Sequence, residues 1–240
     1  MAKRAVDFAL ALLGLIFLAP VLIVVAVLVF IQDWRSPFYI APRVGRGGRL
    51  FQMLKFRTMV VGADRSGVNS TSSNDSRITP LGQFLRRSKL DELPQLGNVL
   101  LGDLSLVGPR PNVPAGVAVY TDAERRLLSV RPGITDLASI VFADEGEILG
   151  GQADPDRAYD ELIRPWKSRL GLFYVERRSL LLDIRLIWLT LLAVVSRPRA
   201  LTAVAVVLTN QGAPPELVAI AGRTATLEPT LPPGAIPSVY

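Results

Sequence analysis

The amino-acid sequence predicts an α+β fold, mainly helical. It comprises an N-terminal helix–break–helix entering a membrane, a small β-hairpin, and amphipathic interfacial helices around a core domain. Three observations carry this. No residue from Phe8 to Ile31 is charged. Between Ser36 and Met59, two strand-like apolar runs flank Gly45-Arg46-Gly47-Gly48. Beyond Thr79, apolar residues recur at helical spacing between cap residues and prolines. The expected divisions are a membrane hairpin over 1–34, a core domain over 35–200 with an interfacial helix near 180–195, and a Pro-rich tail over 201–240.

The first element is the apolar run. Its 24 residues would make a straight helix of roughly 36 Å, against about 30 Å of hydrocarbon. A signal peptide fits poorly, because its apolar region would be only ~7–15 residues and would end at a small-residue cleavage site. Here the run continues into Gln32, Asp33 and Trp34. Pro20 at its midpoint removes a backbone hydrogen bond and crowds the preceding turn. Basic residues flank both ends, Lys3 and Arg4 before it and Arg35, Arg43, Arg46 and Arg49 after it. Positive-inside bias then places both ends on one side. A helix that enters, breaks at Ala19-Pro20 and returns satisfies both facts; an ordinary kinked span is the alternative. Asp7 is costly at depth, so it is expected at the interface or paired with Lys3 or Arg4.

The hairpin follows, from Phe38-Tyr39-Ile40 through the glycine turn to Leu50–Met59. Val61 to Thr79 is polar and Ser/Asn-rich and reads as a surface loop; its sequons at Asn69 and Asn74 are discounted as chance. Thr79-Pro80 starts a helix to about Arg87. Ser88, with Asp91 at capping-box spacing, predicts a second helix start. That helix would carry Leu93, Leu96, Val99 and Leu100 and end near Gly102. Leu104 to Pro114 reads as an irregular, constrained loop, and Asp122 to Ser129 as a short helix broken by Arg131-Pro132-Gly133. Asp156 to Arg178 reads as a longer polar helix interrupted at Pro165. Leu180 to Val195 carries Asp183 and Arg185 and is short for a span, so it reads as a helix lying in the interface, with a buried core helix as the alternative. Ala200 to Leu208 is a short apolar stretch. Gln211 to Tyr240, with six prolines and three charged residues, reads as an extended or partly ordered tail.

Composition restricts the chemistry. The chain is 50% hydrophobic, has a mean hydropathy of +0.34, and carries 27 Lys and Arg against 21 Asp and Glu, a net charge of +6. It has neither cysteine nor histidine. Disulfides, thiolate nucleophiles, zinc fingers and Ser-His-Asp triads are therefore excluded. What remains is carboxylates, Lys, Arg, hydroxyls, backbone amides and a hard cation such as Mg²⁺. The positive balance suits nucleic acid, anionic lipid or a phosphorylated substrate. Nucleic acid is disfavoured, because the basic residues are not interleaved with aromatics.

The central candidates are the adjacent carboxylates Asp91 and Glu92. They could bind Mg²⁺, or one could act as nucleophile while the other binds metal or handles a proton; simple capping is the alternative. Basic residues surround them in the sequence: Lys55 and Arg57, Arg86 and Arg87, Arg110 bracketed by prolines, and Arg131. A proline-bracketed arginine has little backbone freedom and can be pre-placed for a phosphate. Asp154-Pro155-Asp156 has metal-ligand spacing but fits a helix cap better. No P-loop is present, and Gly45-Arg46-Gly47-Gly48 is no dinucleotide fingerprint.

In combination, several segments resemble the bacterial sugar transferase family, the monotopic phosphoglycosyl transferases of the small single-domain type. They are Lys3-Arg4-Ala5-Val6-Asp7, Lys55-Phe56-Arg57-Thr58-Met59, Ser88-Lys89-Leu90-Asp91-Glu92-Leu93-Pro94-Gln95-Leu96, Asn98-Val99-Leu100, Leu104-Ser105-Leu106-Val107-Gly108-Pro109-Arg110-Pro111, Arg131-Pro132-Gly133-Ile134-Thr135 and Leu181-Leu182-Asp183-Ile184. They fall in the family's order over roughly residues 1–200. The resemblance implies an enzyme of the bacterial cytoplasmic membrane with its catalytic domain on the cytoplasmic face. It would move a sugar-phosphate from a UDP-sugar to a polyprenol phosphate, such as undecaprenyl phosphate, and release UMP. It also implies Mg²⁺ at Asp91 and Glu92, Asp91 as nucleophile with Glu92 as its partner, and Lys55, Arg86, Arg110 and Arg131 on the phosphates. Ala19-Pro20 corresponds to the family's re-entrant break. Membrane lipids are implied as partners, nucleic acid is not, and a homodimer is left open. The chain departs from the family at Gly97, where a larger apolar residue is usual, and at Asp136-Leu137-Ala138-Ser139, where Gly-Trp-Ala-Gln is common. A non-catalytic basic scaffold on the membrane surface is the competing class, but it would have no need of Asp91, Glu92 and Arg110 together.

Overall fold

A computed structural model of the protein describes residues 2–63 and 75–236. It is mostly helical, with two small two-stranded sheets and one long apolar N-terminal helix. That helix, α1 (Ala2–Ile31), stays helical straight through Pro20. The expected break at Ala19-Pro20 is therefore not an interruption of the helix. Proline deletes one backbone bond and crowds one turn, and the flanking turns continue. The sequons and most of the loop around them lie outside the described residues.

α1 touches the rest of the protein along one stripe. Near its start, Ala11 packs with Leu96, Val99 and Leu104. Towards its end, Val25 and Val29 pack with Phe56 and Leu85. The opposite face exposes Ile16, Phe17, Ile23 and Val24, with Phe17 77% accessible. Asp7 is buried, accepting from the Ser105 hydroxyl at 2.8 Å and the Leu106 amide at 3.2 Å. Lys3 lies at 4.0 Å from it. Asp7 thus keeps the expected ion pair with Lys3, at the long end of the range, and takes its hydrogen bonds from the strand that holds Ser105 and Leu106. Lys3 also donates to Asp183 at 2.6 Å.

The predicted hairpin is formed by β1 (Phe38–Val44) and β2 (Leu50–Phe56), antiparallel and paired from Phe38 with Phe56 to Val44 with Leu50. α2 (Pro80–Arg87) follows, capped by the Thr79 hydroxyl as its sequence suggests. The chain then makes a 3₁₀ turn (Leu90–Glu92) and enters α3 (Gln95–Leu101), which ends on Gly102 at φ 93°. The proposed capping box at Ser88 does not form. Ser88 instead closes α2, its hydroxyl donating to the Phe84 carbonyl at 2.8 Å. Lys89 then turns into the left-handed region at φ 58°, so Asp91 sits in a tight turn and not at the start of a regular helix.

The stretch expected to be wholly irregular contains β3 (Ser105–Val107), which runs parallel to β4 (Gly133–Thr135). α4 (Pro114–Ala118) and α5 (Asp122–Arg125) lie between them. α6 (Leu137–Val141), α7 (Glu145–Leu149) and α8 (Pro155–Ala158) follow. A π-turn at Tyr159–Ile163 leads into α9 (Arg164–Arg177), placing the interruption where Pro165 suggested it. α10 (Leu180–Val195) has the bounds read from sequence. It buries Leu182, Leu186 and Leu189 and exposes Leu181, Ile184, Trp188, Leu191 and Val195, an apolar stripe at helical spacing. The extended tail is corrected in part. α11 (Arg197–Asn210) and α12 (Pro215–Ala221) are helices, and Val204, Leu208, Leu217 and Ile220 join the core formed by α6, α9 and α10. Proline at each helix start, where no amide partner is lost, explains how proline-rich sequence yields helix here.

Candidate functional site

The site is assembled from three local devices. In the first, β2 has β1 on one edge and, among the described residues, no strand on the other. Asn98 of α3 substitutes for a strand there. Its carbonyl accepts from the Leu54 amide at 3.0 Å and its amide donates to the Gln52 carbonyl at 2.8 Å. This clamp fixes the register of Lys55 over the turn that carries the two carboxylates. In the second, Gly82 of α2 lies flat on Thr58: a methyl group there would sit 2.0 Å from the Thr58 carbonyl oxygen. One turn later, Arg86 donates from Nε to the Thr58 hydroxyl at 2.9 Å. In the third, Gly108 and Gly133 bring β3 and β4 together so closely that a Cβ on Gly133 would meet the Gly108 nitrogen at 2.1 Å. Arg110 projects two residues beyond that contact.

These devices converge on Glu92. Lys55 Nζ donates to its Oε1 at 2.8 Å, and Arg110 grips the carboxylate with both terminal nitrogens, Nη1 to Oε2 at 3.2 Å and Nη2 to Oε1. Asp91 is buried beside it, with Lys55 Nζ at 3.9 Å from Oδ2. No described residue donates a hydrogen bond to Asp91. Glu92 is thus held from two sides, while Asp91 keeps its oxygens uncommitted.

The electrostatics separate the pair. Burial pushes the Asp91 carboxyl up, Lys55 draws it partly back, and the negative charge of Glu92 pushes it up again. Burial acts on Glu92 in the same direction, but Arg110 and Lys55 hold it well below the usual carboxylate range. Burial lowers the Lys55 amine against the opposing pull of Glu92, and burial also lowers Arg86, against the charge of Asp91. Glu92 raises Arg110. Two carboxylates driven apart in this way can take different roles, one a fixed charge and the other a reactive base.

Of the residues singled out from sequence, Asp91, Glu92, Lys55 and Arg110 meet directly, and Arg86 stands within the field of Asp91. Arg131 is placed differently: its Nε donates to the Gly102 carbonyl at 3.0 Å, and it lines a separate cavity with Lys3, Arg46 and Arg178. Arg57 pairs with Asp33 at 2.6 Å, tying β2 to the chain just after α1. Asp154 caps α8, accepting from the Arg157 amide at 3.0 Å. Asn98, Thr58 and Lys89 were not picked out as site residues. All three stand in the segments that carry the family resemblance, and Asn98 shares the buried face of α3 with Gln95, Leu96 and Val99. Asp136 forms a capping box with Ser139 at the start of α6, is pushed up by burial, and lies in the field of Arg110.

The donor set accommodates Mg²⁺ in a specific way. No group of three or more acidic or other ligand residues gathers among the described residues. Mg²⁺ characteristically needs only one or two carboxylates, completing its octahedron with water and substrate phosphate oxygens. Asp91 has oxygens available for that; Glu92 would have to share its own with Arg110 and Lys55.

An α+β body thus carries one helix long and apolar enough to cross a membrane, and its 3₁₀ turn holds an acidic pair of which Glu92 is clamped by two cations. The chain belongs to the bacterial sugar transferase family, whose model matches residues 1–197. It is 37% identical over 196 residues to an undecaprenyl-phosphate glucose phosphotransferase of Komagataeibacter xylinus, covering 79% of this chain and 35% of that protein. It is 38% identical over 205 residues to a UDP-glucose:undecaprenyl-phosphate glucose-1-phosphate transferase of Xanthomonas campestris pv. campestris, covering 83% of this chain and 40% of that protein. The chain thus spans well under half the length of these two relatives. Over 208 residues it is 35% identical to the exopolysaccharide production protein ExoY of Sinorhizobium fredii, covering 80% of this chain and 85% of that protein.

Proposed function

We propose that the protein transfers a sugar-1-phosphate from a UDP-sugar to a polyprenol phosphate, undecaprenyl phosphate by the names of its relatives. Asp91 would attack the phosphorus that carries the sugar. The bond from that phosphorus to the bridging oxygen breaks, UMP leaves, and an aspartyl phospho-sugar remains. An oxygen of the polyprenol phosphate then attacks the same phosphorus, releasing Asp91 and giving polyprenyl-diphospho-sugar. The observation that supports this most is the uncommitted, buried Asp91 carboxylate beside a Glu92 fully engaged by Lys55 and Arg110. A carboxylate whose proton affinity is raised is the better nucleophile once ionised. Phosphoryl transfer asks mainly for placement and charge neutralisation, which Lys55, Arg86 and Arg110 can supply without His or Cys. Mg²⁺, held by Asp91 with or without Glu92, would neutralise the diphosphate charge as UMP departs.

The membrane reading belongs to the same proposal. α1 lies embedded in the cytoplasmic side of the bacterial inner membrane with both of its ends on that side, bending at Pro20 without losing its helix, and α10 lies in the interface. It is supported by α1 resting both of its halves on one body while exposing an apolar face. UMP release from detergent-purified protein, with Mg²⁺, undecaprenyl phosphate and a panel of UDP-sugars, tests the reaction. Wild type should release UMP with one or a few sugars and Asp91→Asn should not; chelation of the metal should stop the wild type. Full activity in Asp91→Asn would remove the covalent step.

A further inference from the structure

A second cavity, of about 170 Å³, opens where the start of α1, the tip of the β1–β2 hairpin, the segment before β4 and the end of α9 meet. Its wall carries four cations, Lys3, Arg46, Arg131 and Arg178, against one carboxylate, Asp7, with Tyr174 behind. The charge does not cancel locally. Asp7 is already satisfied by Ser105 and the Leu106 amide, and Lys3 is taken by Asp183. Arg131 is held by its Nε on the Gly102 carbonyl, which leaves the rest of its guanidinium for the cavity. Arg46 and Arg178 are exposed and have no carboxylate partner among the described residues. Three guanidinium groups from three separate elements thus face one pocket, and guanidinium geometry matches phosphate oxygens.

The position of the pocket narrows the ligand. The Lys3–Asp183 pair joins the beginnings of α1 and α10. From that junction both helices carry exposed apolar faces, Phe8, Leu12 and Ile16 on one and Leu181, Ile184 and Trp188 on the other. A free anion would use the cations and ignore these faces. An anion bearing a hydrocarbon tail uses both.

We infer that this cavity is a headgroup site for a phosphate-bearing lipid, separate from the Asp91–Glu92 pair. The inference rests on the membrane placement proposed above and is independent of the transfer chemistry. Decyl phosphate is the probe, titrated calorimetrically into the full chain in detergent, beside inorganic phosphate. Arg46→Gln/Arg178→Gln should weaken decyl phosphate by at least about tenfold, because charge-assisted hydrogen bonds to the phosphate are lost. Both side chains are exposed, so an unchanged melting temperature is expected and checks the fold. Arg110→Gln, at the other site, should leave this binding in place. Equal binding by the double variant overturns the site, as does loss of binding in Arg110→Gln. Inorganic phosphate binding as tightly as decyl phosphate would leave an ion site and overturn the lipid assignment. UMP release measured on the same preparations separates the two readings. An inactive wild type that binds decyl phosphate at this cavity refutes the transfer reaction alone.

Discussion

Asp91 and Glu92 are adjacent in sequence and opposite in electrostatic state. The difference comes from who touches them: Arg110 and Lys55 both bond Glu92, and nothing described bonds Asp91. If Asp91 attacks phosphorus it must be ionised, so its titration sets the acid limb of kcat/KM. Burial raises that titration and Lys55 lowers it. Removing Lys55 therefore moves the limb to higher pH. Lys55→Gln should show this shift in UMP-release profiles, together with a lower rate from the lost phosphate contact; a limb that stays or moves down rejects the assignment. Asp91→Asn should cost on the order of 10⁴-fold or more, as nucleophile deletions do. The pair was legible in sequence, and so were Lys55 and Arg110, through the family resemblance of the segments that carry them; the bare dipeptide recurs at Asp144-Glu145 and Asp160-Glu161 without that setting. The division of roles was not legible. It depends on which cation reaches which oxygen, and that is settled by Asn98 clamping β2 and by the close pass of Gly108 over Gly133.

At the scale of elements, the glycines separate constraint from permissiveness. Gly133 has no room for a methyl group, since the Gly108 nitrogen would lie 2.1 Å away. Gly133→Ala should force β3 and β4 apart, cost about 1–3 kcal/mol, and displace Arg110. Thermal melts and UMP release should fall together. Gly97 of α3 has nothing within 4 Å of the same hypothetical methyl group, and its φ is ordinary. Gly97→Ala should stabilise the helix by about 0.5–1 kcal/mol through backbone entropy. A lower melting temperature for that variant would mean the glycine has another task. The hairpin, α2, α10 and the end of α3 at Gly102 were readable because each is fixed locally, by alternation, an N-cap or a positive φ. β3, β4 and the left-handed Lys89 were not. A three-residue parallel strand has no period to detect, and its pairing is long-range. Ser88 carried a valid cap pattern that lost to a competing bond to the carbonyls of the preceding helix.

For the whole molecule, the question is how a 30-residue apolar helix sits against one domain. Were α1 to cross a bilayer, its two ends would be separated by the membrane, and one would have to leave the body. Both ends are instead fastened to it. Arg4 donates to the last carbonyls of α3, Val99 and Leu100, and Asp7 binds β3. Val25 and Val29 lie on Phe56 and Leu85, and Asp33 just beyond α1 pairs with Arg57. Detaching either end exposes a buried carboxylate's partners or an apolar cluster, so the body and both ends should share one side of the membrane. The absence of cysteine makes this directly measurable. Ala2→Cys and Ser36→Cys, each single and both at exposed positions, should react with a membrane-impermeant maleimide from the same side in sealed inside-out vesicles. Both should be protected in right-side-out vesicles. Labelling from opposite sides would show a crossing helix and would require the contacts at one end of α1 to open in the bilayer.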